Sequence, residues 1–158
     1  GASTSGGAAK TGLAVWRRLP EWTGEAPPPP PGTAAVAPAD ARRRLAQLLG
    51  AEAEPRPSQA DFASAVAAAF APRQAPDAPT LVLAEAGTGT GKTLGYIAPA
   101  SLWAEMNGAP VWLSTYTRNL QRQIDGELDR LYPDAEDKAA HVVLRKGREN
   151  HLWLLKYE

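Results

Sequence analysis

The feature that most restricts this chain is a glycine-rich run, Ala86-Gly87-Thr88-Gly89-Thr90-Gly91-Lys92-Thr93, set between an apolar segment and a helix-forming one. Glycines at 87, 89 and 91 free the backbone to curl, so that successive amides turn toward one point. Before the run, Leu81-Val82-Leu83-Ala84 is a short apolar segment bounded by turn residues, which predicts a buried strand of a parallel sheet. After it, a helix is expected through about Met106, stopped by Asn107-Gly108 and kinked by Pro99. The run fits the pattern G-x-x-x-x-G-K-[ST] of a P-loop (Walker A), except that Ala86 holds the first glycine position. In that pattern the amides of the loop and the helix start cradle phosphates, the lysine reaches the β- and γ-phosphates, and the hydroxyl holds Mg²⁺. The expected nucleotide-binding residues are therefore Ala86, Gly87, Thr88, Gly89, Thr90, Gly91, Lys92 and Thr93. Lys92 and Thr93 are the expected catalytic groups, and Thr93 the Mg²⁺ ligand.

The rest of the chain extends this reading. Residues 1–37 predict a flexible tail rich in Gly, Ala and Pro, with prolines at 27–31 as a stiff spacer. Trp16 and Trp22 within it either dock a partner or pack on folded parts of the protein. Asp40 is an expected N-cap for a helix carrying Leu45, Leu48 and Leu49 and ending at Gly50. The run Arg42-Arg43-Arg44 on it reads either as phosphate contacts or as a solvated face. Ser58 and Asp61 fit a capping box for a second helix, whose face is Phe62, Val66 and Phe70. Further strands are predicted at 111–114 and 142–144. Between them a helix with Leu120, Ile124, Leu128 and Leu131 on one side ends before Pro133, and a last short helix follows near the C-terminus. Strand, helix, strand, helix, strand implies an α/β fold: a RecA-like parallel sheet with flanking helices, forming an incomplete lobe over residues 38–158.

Composition narrows the setting. Lys plus Arg and Asp plus Glu are 17 each, so no long-range field steers the chain toward nucleic acid. There is no cysteine, which excludes disulfides and cysteine-held metals within these residues. No apolar stretch is long enough for a membrane span, and the first residues show no charged segment followed by an apolar one, so no secretory signal is expected in them. Beginning at Gly1 suggests a processed or excised piece, and a cytoplasmic location is expected.

Four segments together resemble the DinG/XPD-type DNA helicases of superfamily 2. They are the P-loop with Glu85 before it, Arg56-Pro57-Ser58-Gln59, Ser114-Thr115-Tyr116-Thr117-Arg118-Asn119-Leu120-Gln121, and Lys146-Gly147-Arg148-Glu149-Asn150-His151-Leu152. The resemblance implies an ATP-dependent helicase moving 5′ to 3′ on single-stranded DNA, with ATP and Mg²⁺ as cofactors. It implies that Gln59 reads the adenine edge, with Arg56 assisting, and that Thr115, Thr117 and Gln121 contact DNA. Thr117 is equally placed to cap its helix. The fourth segment resembles the approach to the family's first iron–sulfur cysteine, but that position is Trp153. No iron–sulfur cluster is expected, although His151 is a ligand by type.

A motor that hydrolyses nucleotide needs a second acid to orient water, and no apolar run here ends in Asp-Glu. The expected partners are thus single-stranded DNA and the remainder of the motor beyond Glu158, and the isolated piece is expected to be inactive. Two alternatives use the same loop: a P-loop phosphotransferase acting on a small molecule, and a nucleotide-binding module without turnover.

Overall fold

Proline starts the first two helices of the computed structural model, which describes residues 32–73, 75 and 78–146. Helix α1 (Pro38–Leu49) has Pro38 at its first position, where an N–H would be unpaired in any case. Its N-cap is Ala37, which makes no side-chain bond. Asp40, expected as the cap, stands instead in the first turn, near the positive helix end, and pairs with Arg43. Helix α2 (Pro57–Ala67) begins on Pro57 with Arg56 as N-cap, so the capping box expected from Ser58 and Asp61 does not form. A single 3₁₀ turn, Ala68–Phe70, continues it. Helix α3 (Lys92–Asn107) contains Pro99 and ends at Gly108, whose φ of 57° is a left-handed conformation suited to glycine. Helix α4 (Arg118–Leu128) is capped by Thr117, and helix α5 (Ala135–His141) by Asp134.

Helices α1, α2 and α3 pack on one another. One buried cluster joins Leu45 and Leu48 of α1, Ala63 of α2, and Leu94, Ile97 and Ala98 of α3, with Leu128 and Leu131 against its edge. A second joins Val36, Ala41 and Ala67, covered by Phe70, Leu102 and Trp103. Small residues let the axes approach closely. A Cβ on Gly95 would come within 2.7 Å of the Phe62 ring. The segment before α1 is tied down as well: Ala34 N donates to Asn107 Oδ1 at 3.0 Å, and Asn107 Nδ2 donates to the Ala34 carbonyl at 3.1 Å. The arginine run on α1 is taken up by carboxylates, Arg42 with Asp61, Arg43 with Asp40 and Arg44 with Glu105.

The expected parallel sheet is absent. Among the described residues no strand forms, and 81–84, 111–114 and 142–144 take no regular secondary structure. Their side chains are not buried as a sheet would require: Leu81 is 81% exposed, Leu83 90% and Trp112 81%. The physical reason lies in where each element finds its hydrogen bonds. A helix satisfies its own backbone, whereas a strand exists only through its neighbours. The apolar runs supplied strand-forming side chains but no pairing, while the alanine-rich segments could bury themselves as helices. The RecA-like lobe is therefore corrected to a helical assembly. Helix α5 was not foreseen, although Asp134 before Glu136 and Asp137, with Lys138 and His141 in the last turn, is a helix signature. The tail readings at Trp16, Trp22 and 27–31, the helix near the C-terminus, and the segment with His151 and Trp153 lie outside the described residues.

This arrangement separates two substitutions that a sheet would make alike. Ile97→Ala empties a side chain that is 1% exposed and should cost about 2–5 kcal/mol in urea unfolding. Leu83→Lys should change stability by less than about 0.5 kcal/mol, as expected of an exposed position. A loss from Leu83→Lys comparable with that from Ile97→Ala would restore the buried strand.

Candidate functional site

The glycine-rich loop leads directly into the N-terminus of α3, and its conformation follows from its glycines. Gly89 and Gly91 both have φ of 76°, in the left-handed region that other residues adopt only at a cost. Gly91 is the N-cap of α3, and its carbonyl accepts from Gly95 N at 3.2 Å. The same carbonyl accepts from Gln59 Nε2 at 2.8 Å. Gln59 is 3% exposed, so its amide faces the loop from within the packing of α2 on α3. Its Oε1 is buried and has no partner.

The loop's carbonyls are occupied by donors. Lys92 Nζ donates to the carbonyls of Ala86 at 2.7 Å and Gly87 at 2.8 Å. Thr90 Oγ1 donates to the Gly87 carbonyl at 2.8 Å, and Arg56 Nη1 approaches the Gly89 carbonyl at 3.4 Å. Thr88 and Gly89 form a hydrogen-bonded turn, and α3 begins at Lys92 with no side-chain cap. The amides at the start of α3 are the N–H groups that any helix leaves without a helical partner, at its positive end. Carbonyls held back by a lysine beside the amides of a helix start are what an anion requires.

Thr93 is 7% exposed, and its Oγ1 accepts from Gln123 Nε2 of α4 at 3.1 Å. One turn on, burial raises the pKa of the Tyr96 phenol, while a hydrogen bond with Thr93 opposes the rise and Glu127 adds to it. Gln123 was not among the expected site residues. Its signal was weak: a glutamine beside Ile124, at the margin of the apolar stripe begun by Leu120. Of the three residues expected on DNA, Thr117 Oγ1 accepts from Leu120 N at 3.2 Å and caps α4. Gln121 Nε2 donates to the Arg145 carbonyl at 3.3 Å, and Thr115 is half-buried. An open pocket of about 390 Å³ is lined by Asp125, Asp129, Tyr132, Lys138 and neighbours, none of them in the loop. There Lys138 bridges α5 to α4 through Asp125 and Asp129, and these hydrogen bonds raise its pKa.

The wider functional expectations are corrected on the same ground. Without a sheet at its base, the loop lacks the P-loop frame that would set an adenine pocket, a metal and a water in register. The expected cofactors ATP and Mg²⁺ are not supported, and no group of His, Cys, Asp or Glu side chains among the described residues could hold a metal ion. The helicase assignment, its ATP hydrolysis, and the partners single-stranded DNA and the remainder of a motor all required the RecA-like lobe. They fall with it. No helix among the described residues is long and apolar enough to cross a membrane.

Comparison with known proteins finds similarity in sequence alone. The chain is 39% identical over 108 residues to an ATP-dependent helicase DinG of Mycobacterium tuberculosis, covering 64% of this chain and 15% of that protein. It is 38% identical over 108 residues to a 3′-5′ exonuclease DinG of Bacillus subtilis, covering 66% and 11%. To an ATP-dependent DNA helicase YoaA of Haemophilus influenzae it is 37% identical over 100 residues, covering 63% and 14%. The chain thus spans a small part of the curated relatives it matches. No family model matches it, and no solved structure does.

Gly91→Ala tests the loop geometry. A Cβ there would be strained at φ 76° and would run into Gln59 Nε2, so a loss of about 1–3 kcal/mol is expected in thermal unfolding. Adding Gln59→Ala should recover part of that loss. Strict additivity of the two changes would remove Gln59 from contact with the loop.

Proposed function

We propose that the chain binds a phosphate group on the loop from Ala86 to Thr93 and the first turn of α3. The observation that carries this reading is the uncapped start of α3, whose first amides have no helical partner, beside the Lys92 ammonium at the glycine-rich loop. Lys92 now donates to two carbonyls of its own loop. A phosphate oxygen offers it a charge-assisted bond, roughly twice as strong as a neutral one, so the ammonium exchanges partners without being uncovered. The relatives support the choice of ligand group indirectly. Their names give different activities, a helicase and an exonuclease, and phosphate is common to the substrates of both kinds of chemistry.

Pyrophosphate is the probe, titrated calorimetrically into the whole chain. Lys92→Ala should weaken its binding about 10- to 100-fold, the worth of a hydrogen bond to a charged group, and leave the chain folded, with a melting temperature lowered only by the loss of its two loop bonds. Equal affinities for the two proteins would overturn the proposal.

A further inference from the structure

Helix α4 is held to the molecule by few contacts. None of its residues is buried. Leu128, with Leu131 just beyond the helix, packs against the core cluster at one end, and Gln121 reaches the Arg145 carbonyl. Between these lies Gln123, whose Nε2 donates to Thr93 Oγ1 at 3.1 Å and joins α4 to the second residue of α3. A largely buried hydroxyl at the mouth of the loop is therefore bonded to a helix none of whose residues is fully buried.

The direction of that bond matters. A hydroxyl has one proton to give and two lone pairs to receive. Gln123 occupies a lone pair, so the Thr93 proton points elsewhere. A phosphate held by the amides at the start of α3 would be a stronger acceptor than any neutral oxygen. The hydroxyl would turn its proton to the anion, and a hydroxyl that donates strongly also accepts more strongly. The Gln123 bond then tightens in the same event.

We propose that Gln123 is a positioning residue that commits the Thr93 hydroxyl to donate toward a bound phosphate and thereby couples occupancy of the loop to the ordering of α4. This rests on the phosphate-binding reading of the loop. It assigns to α4 a role in reporting what the loop holds, which the apolar stripe of that helix does not suggest.

Amide hydrogen exchange over residues 118–128, with and without pyrophosphate, reads the coupling. The wild-type chain should gain protection there on adding pyrophosphate. Gln123→Met keeps the length and helix propensity of the side chain but has no donor. It should lose that gain and bind pyrophosphate about 2- to 10-fold more weakly, the effect of one hydrogen bond. Thr93→Ser should retain the gain and Thr93→Val should lose it. Wild-type affinity and protection in Gln123→Met would overturn the proposal, because packing alone would then account for the residue. If the wild-type chain does not bind pyrophosphate, the phosphate reading fails, and exchange without ligand still decides the link. Faster exchange at 118–128 but not at 92–107 in Gln123→Met would support it, and unchanged exchange would overturn it.

Discussion

The burial of helix α3 is the constraint on which the rest of the structure depends. From Thr93 to Ser101 nearly every residue is inside, with Ile97 and Pro99 almost fully enclosed. Helices α1 and α2 supply one side of that enclosure, and the residues around Leu128 and Leu131 close its edge. Such burial requires small neighbours, and the alanines of α1 and α2 meet that need where larger side chains would hold the axes apart. Pro99 is tolerated because the packing around it outweighs the hydrogen bond it removes.

Because α3 is fixed, its N-terminus is fixed, and the loop takes its shape from there. Gly91 turns the chain in a left-handed conformation, and its carbonyl is shared between the helix and Gln59. The unsatisfied Gln59 Oε1 shows the cost of this arrangement, since a buried acceptor without a partner forfeits about 1–3 kcal/mol. That cost is accepted where a backbone conformation must be held. The same logic places Lys92, whose ammonium is held at the loop by carbonyls that are themselves held by glycine geometry.

Similarity in sequence and the observed architecture part company here. Identity near 39% over 108 residues links the chain to DinG proteins, yet the described residues form helices without a sheet. An anion site asks only for the amides of a loop and of one helix start. Adenine recognition, metal binding and hydrolysis instead need groups from several strands brought to one edge. The local chemistry therefore survives as a proposal, while the activity of a whole motor does not.

The sequence by itself determined the backbone freedom of the loop and the helix-forming segments that flank it. Those properties are local: φ freedom at Gly89 and Gly91, and the hydroxyl cap at Thr117. Only the tertiary structure decided that 81–84, 111–114 and 142–144 form no strand, because a strand is a relation between segments and no single run contains it. Tertiary structure alone also turned Gln59 inward beneath Gly91 and set Gln123 against Thr93. Those contacts join residues 32 and 30 positions apart, and hydrophobic periodicity carries no information about which polar side chains will meet when two helices pack.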